Sequence, residues 1–220
     1  MFEGFYEETI QFLWEIRLNN QRPWFQDHKQ VYLDALYEPM KEFGAAVREE
    51  LLAEHPKEQL ELKVARIYRD ARRIHYGGPY KDHLWFTLRP PMEQRHTAPV
   101  FYFEVMPEGY EYGLGYYCSK AALMETYRQH ILDAPEKLER LARKLEHQTV
   151  FTLEGAEYKR PKGIVPDLLK PWFNRKELSL STRYAYDDCF LSPELIQRVT
   201  QGFCWLMPYY RYLKEIQSEE

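Results

Sequence analysis

The chain has 220 residues, of which 45% are hydrophobic and 16% aromatic, and its formal net charge at pH 7 is −4. It can therefore bury a substantial core. It has no run of eighteen apolar residues and its first residues are acidic, so we expect neither a membrane span nor a secretory signal. The three cysteines form no CxxC pair, which suits a reducing compartment. We expect a cytoplasmic protein.

The first 55 residues carry apolar side chains at helical spacing. One helix ends near Asn19, where Asn19 and Asn20 tolerate turn geometry. A second begins at Pro23 and continues past an irregularity at Pro39. The pattern predicts an N-terminal helical segment of about 1–55.

From residue 60 to about 118 the apolar period changes from helical spacing to two, which is typical of strands. Proline and glycine at the second and fourth positions of the turn after Val105 predict a hairpin, and therefore an antiparallel meander. Gly113 and Gly115 in the returning strand indicate either a bulge or a place where another group approaches the backbone closely. The predicted strands are 62–69, 84–88, 100–105 and 110–118.

Helices, a turn-rich stretch and a late strand make up the remainder, about 119–220. One helix ends near Asp133, and a capping box from Asp133 to Glu136 begins the next. Ser192 caps a final helix with a kink at Pro208. The order of elements predicts a single α+β domain, with a mainly antiparallel sheet packed against N-terminal, middle and C-terminal helices. Two further strands are expected, a short one within 148–175 and one at 178–184.

Basic residues concentrate in the centre of the chain. Residues 62–95 contain eight Lys and Arg against three Asp and Glu, whereas residues 1–61 contain six against thirteen. A chain that coats nucleic acid usually has an overall positive balance, so this local excess favours a compact anionic ligand.

Six side chains form the predicted site. Arg69 and Arg72 offer planar donor forks and Lys81 a point charge, the combination that suits phosphate or carboxylate. Asp70 is assigned an orienting role, because neighbouring arginines would depress its pKa and make it a poor base. The other two are Tyr80, as a positioning group, and Arg128, reaching in from the following helix.

Signatures of catalysis and of cofactors are absent. The sequence contains no GxxxxGK[ST] loop and no HxH or HExxH among its seven histidines, so no metal site is expected. Gly113-Leu-Gly115 is not a dinucleotide fingerprint, and nothing near Cys118 marks a nucleophile. The sequence therefore assigns neither a reaction nor a cofactor, and it leaves the oligomeric state open.

Three functions stay open at this point. The first is a pocket for a small or nucleotide-like anion, and the second is a nucleic-acid-binding module that uses the same cations with exposed tyrosines. The third is a structural or interaction domain, in which Arg69, Asp70 and Arg72 form an ion-pair network that joins the sheet to the acidic N-terminal helices.

Several short motifs occur in one order over most of the chain: Asn19-Asn20, Trp24-Phe25, Arg66-Ile-Tyr-Arg-Asp-Ala-Arg72, Pro79-Tyr-Lys81, 113–116, and Leu123 with Arg128 and Ile131. Together they resemble the bacterial domain-of-unknown-function 2461 family. The resemblance implies a cytoplasmic protein without an established activity, and it supplies a fold expectation and candidate positions. Between Arg72 and Pro79 this chain has Arg-Ile-His-Tyr-Gly-Gly where the family tends to have Phe-Ser-Lys-Asp-Lys-Thr. The family's Lys and Ser in that turn therefore have no counterpart here.

Overall fold

A computed structural model describes residues 2–70, 78–91, 98–116 and 121–216. It contains a six-stranded antiparallel sheet of order β1-β2-β3-β4-β6-β5, packed with helices, which confirms the predicted α+β fold with a meander. The strands are β1 Glu61–Val64, β2 Leu84–Arg89, β3 Val100–Met106, β4 Gly109–Gly115, β5 Thr152–Glu154 and β6 Ser179–Tyr184.

Along the chain, helices precede the first strand, separate β4 from β5 and β5 from β6, and follow the last strand, as the periodicity predicts. Among the described residues, none of them combines the length and the apolar character needed to cross a membrane. A π-helical turn, Tyr32–Tyr37, precedes α4, and a 3-10 turn, Asp167–Leu169, precedes α7. The α-helices are α1 Glu7–Leu18, α2 Arg22–Asp27, α3 Lys29–Val31, α4 Glu38–Glu54, α5 Ala121–Asp133, α6 Pro135–Glu146, α7 Lys170–Phe173 and α8 Glu194–Glu215.

Contacts along the chain divide it into two compact units. Unit 1 comprises Met1–Leu88, Tyr102–Tyr112 and Arg183–Gln201; unit 2 comprises Arg89–Phe101, Gly113–Thr182 and Gly202–Glu220. Strands β2, β3, β4 and β6 contribute residues to both units. The expectation of one domain stays a prediction.

Side chains of β3 alternate between the buried core of unit 1 and a face that carries polar groups. Phe103 and Val105 are buried, and the Phe103 ring packs edge-on against that of Phe43 with centroids 4.7 Å apart. Successive side chains of a strand point to opposite faces, so Tyr102 and Glu104 are only partly buried on the other face. This second face carries the polar groups described below.

The irregularity predicted at Pro39 is the π-helical turn. Proline has no N–H, so in an α-helix Pro39 would leave the Ala35 carbonyl without its donor. The Glu38 N–H instead bonds to the Leu33 carbonyl, five residues back. The buried Thr9 hydroxyl donates to the Ala35 oxygen at 2.5 Å and so satisfies it from α1.

Two sequence predictions require correction. The strand expected over 62–69 ends at Val64, because the chain then changes partner: the Ala65 N–H still bonds to the Trp85 carbonyl, but Tyr68 forms an isolated bridge with Tyr80. The capping box at Asp133 is also wrong. Asp133 is the last residue of α5, and Ala134 occupies the N-cap of α6 without a side-chain hydrogen bond.

Candidate functional site

The basic central stretch folds as a short antiparallel ladder in unit 1. The Arg69 N–H donates to the Pro79 carbonyl at 2.9 Å, and the Lys81 N–H donates to the Ile67 carbonyl at 2.8 Å. This register places residues 66–69 beside residues 79–82. Side chains that lie far apart in the sequence are thereby brought together.

Asn20 and Tyr80 fix this ladder to the helices. The Asn20 side-chain amide donates to the Tyr80 carbonyl at 2.9 Å and accepts from the Tyr80 N–H at 3.0 Å, as a neighbouring strand would. The Tyr80 ring is 2% exposed and stacks on Phe25 with centroids 4.2 Å apart. Tyr80 therefore anchors the ladder in the core, and its assigned role toward a ligand stays a prediction.

Lys81 lies within a group of cations. Its ammonium donates to the Arg66 carbonyl and lies 4.5 Å from the centroid of the Trp85 ring. Burial lowers the pKa of Lys81, and the positive charges of Arg66 and Arg69 lower it further. Arg66, which the sequence prediction left out, is exposed beside Lys81.

The Arg69 guanidinium contacts both a backbone carbonyl and a carboxylate. Its Nε donates to the Tyr80 carbonyl at 2.6 Å, and its Nη2 lies 3.7 Å from Oδ1 of Asp82. Asp82 also accepts from Nε of Arg17 at 2.5 Å. Burial alone would raise the pKa of Asp82. The hydrogen bond from Arg17 and its positive charge stabilise the ionised carboxylate, so the pKa of Asp82 lies below its usual value. Part of the positive charge is thus balanced within unit 1.

Asp70, Arg72 and Arg128 complete the set of predicted site residues. Arg72 falls outside the described residues. Asp70 is exposed at the last described position before that gap. Arg128 belongs to α5 in unit 2, where its guanidinium binds Glu125. Its participation in one pocket with Arg69 and Lys81 stays a prediction.

An unusual carboxyl group, Glu104, lies on the polar face of β3. Burial, together with the negative charge of Glu111, raises the pKa of Glu104 to about 7. Glu111 itself accepts from the Tyr102 hydroxyl at 2.5 Å and from Nε of Arg183 at 2.8 Å. Sequence reasoning missed Glu104. Its only signal was its position in the polar phase of an alternating strand.

His83 lies between two carboxyl groups. Its Nδ1 is 3.2 Å from Oδ1 of Asp82, and its Nε2 is 3.8 Å from Oε1 of Glu104. Burial lowers the pKa of His83, although Asp82 opposes the shift. The 3.8 Å between Nε2 and the Glu104 oxygen exceeds hydrogen-bond distance, so the interaction of His83 with that carboxyl is electrostatic. No group of three acidic, His or Cys side chains among the described residues is arranged to hold a metal ion.

Comparison with known proteins agrees with the resemblance seen in the sequence. The family model described as conserved hypothetical protein (DUF2461) matches residues 8–212, nearly the whole chain. That description states no activity. No curated protein matches the chain.

Proposed function

We propose that this protein, which belongs to the DUF2461 family, binds a small phosphate- or carboxylate-bearing ligand at the cluster of Arg66, Arg69 and Lys81. The family is one of uncharacterised function, so the proposal rests on this chain's own residues. A cytoplasmic location, expected from the sequence, belongs to the same proposal.

The observation that carries the proposal is the electrostatic environment of Lys81. Its pKa is lowered first by burial and then by the charges of Arg66 and Arg69, although Glu104 opposes the shift, so the ammonium is held next to two other cations. A bound anion would relieve this repulsion, and the energy released would contribute to affinity. A cluster built only for stability would instead pair each cation closely with a carboxylate.

The types of donor favour a compact anion. Arg66 offers a planar fork at the surface, while Lys81 contributes a point charge beside it. The half-buried Trp85 ring, 4.5 Å beneath the ammonium, limits the space on one side. A terminal phosphate or a small carboxylate fits these donors better than an extended polyanion.

Calorimetric titration with inorganic phosphate, citrate and a nucleoside monophosphate tests the proposal. We expect binding of one anion class, weakened about tenfold or more by Lys81→Ala and by Arg66→Ala, because each removes a charge next to the ligand. Lys63→Ala, which removes an exposed lysine of β1, serves as the matched control and should leave the dissociation constant unchanged. In a thermal melt, ligand at a hundred times its dissociation constant adds about 2.7 kcal/mol, or roughly 5 to 10 °C.

Two other experimental results would contradict this proposal and favour one of the two alternative functions. Binding of short oligonucleotides that weakens steeply with salt would favour the nucleic-acid-binding alternative. Absence of any binding, together with early melting of Arg69→Ala, would favour the structural alternative, because Arg69 bonds both the Tyr80 carbonyl and Asp82.

A further inference from the structure

A second group of cations, in unit 2, surrounds one tyrosine ring. The ammonium of Lys162 lies 4.3 Å from the centroid of the Tyr158 ring, and that of Lys176 lies 5.3 Å from it. The guanidinium carbon of Arg128 lies 5.4 Å from the same centroid. One aromatic face attracts a cation, but three cations around a single ring also repel one another.

The backbone holds two of these cations in place. The Tyr158 N–H donates to the Asn174 carbonyl at 2.9 Å, and the Lys176 N–H donates to the Ala156 carbonyl at 2.7 Å. The Lys162 N–H donates to the Asn174 side chain at 3.0 Å. Both lysine side chains are exposed, so they converge on Tyr158 because the two segments pair, without burial of the lysines themselves.

Arg128 adds a buried donor for which the described residues supply no acceptor. Its side chain is 5% exposed, and its Nη2 and Nε donate to Oε2 of Glu125 at 2.6 and 3.2 Å. Nη1 lies on the other side of the guanidinium, and among the described residues it has no hydrogen-bond partner. A buried charged group with an unsatisfied donor is costly, so such a donor indicates a place for an acceptor.

We propose that Arg128, Lys162 and Lys176 form a second anion site, which binds a phosphate group through Nη1 of Arg128 and the two ammonium groups. A phosphate group presents several oxygens in different directions, so it can accept from donors that approach from different sides. Nη1 is buried, so a phosphate oxygen reaches it only when side chains around the guanidinium move. Glu125, 75% exposed and of the same sign as the ligand, is close enough to oppose binding.

Titration of the full chain with inorganic phosphate, followed by ³¹P NMR, tests this site. All variants are made in a Lys81→Ala background, which weakens any contribution from the cluster in unit 1. The double variant Lys162→Ala/Lys176→Ala should weaken phosphate binding about tenfold or more, and Glu125→Gln should tighten it about threefold or more. Lys159→Ala is the matched control, because Lys159 is an exposed lysine next to Tyr158 without a described contact to its ring. It should change affinity by less than about twofold.

Three results would overturn the inference. One is the absence of phosphate binding at millimolar concentration in the Lys81→Ala background. Another is an affinity that neither the double lysine variant nor Glu125→Gln alters. A third is an equal loss in Lys159→Ala, which would indicate attraction by general surface charge. The replaced side chains of Lys162 and Lys176 are exposed, so the thermal melt of the double lysine variant should match that of the Lys81→Ala protein. Glu125→Gln removes the charge that pairs with the buried Arg128 guanidinium, so that variant should melt earlier.

Discussion

Replacement of Glu104 by glutamine is expected to stabilise the protein by up to about 3 kcal/mol at pH 8, but by less than about 1 kcal/mol at pH 5. Glutamine keeps the size and polarity of the side chain but cannot ionise. It therefore removes the cost of holding a carboxylate in a largely buried place next to Glu111, where the pKa of Glu104 is raised to about 7.

The pH dependence follows from proton binding in the two states. The folded protein keeps the Glu104 proton until about pH 7, whereas the unfolded chain loses it near the ordinary value of 4.5. Between these values the unfolded state binds fewer protons, so the contribution of Glu104 to stability falls as the pH rises. Above about pH 7 both states are ionised and the difference becomes constant.

Urea unfolding of wild type and Glu104→Gln at pH 5, 6, 7 and 8 measures this difference. Glu50→Gln, which neutralises an exposed carboxylate of α4, is the matched control. Its effect on the free energy of unfolding should stay within about 0.5 kcal/mol at each pH. The prediction is contradicted if the stability difference for Glu104→Gln does not grow between pH 5 and pH 8.

Replacement of Gly113 by alanine is expected to destabilise the protein by about 3 kcal/mol, because the position leaves no space for a side chain. A Cβ at Gly113 would overlap the Leu180 carbonyl oxygen of β6 and lie 3.0 Å from the Cα of Ser181. Relief of this overlap requires the backbones of two paired strands to move apart, with loss of sheet hydrogen bonds.

Chemical denaturation of Gly113→Ala beside Gly163→Ala distinguishes this clash from the general effect of removing a glycine. A Cβ at Gly163 would meet only the Phe173 ring, at 3.0 and 3.2 Å, and a ring can shift slightly. That control should change the free energy of unfolding by less than about 1 kcal/mol in either direction. Similar effects of the two substitutions would refute a specific role for the contact with Leu180.

Much of the fold followed from local patterns. The change from helical to alternating spacing placed β2, β3 and β4, and the Pro-Gly turn joined β3 to β4 as a hairpin, because these patterns act over a few residues. The pattern also identified the irregularity at Pro39. For Gly113 it offered two explanations, and the carbonyl of Leu180 selects close approach of a neighbouring strand.

The sequence by itself determined the α+β class, the order of the elements and the basic character of the central stretch, since these depend on periodicity and composition. Only the tertiary structure decided which cationic side chains lie close together. It brought Arg66 beside Lys81, buried the Tyr80 ring, and placed Arg128 in unit 2 with Tyr158. It also set Glu104 beside His83, 21 positions away in the numbering. The pKa of a group and the partners of a charge depend on burial and distance across the fold, which spacing along the chain does not encode.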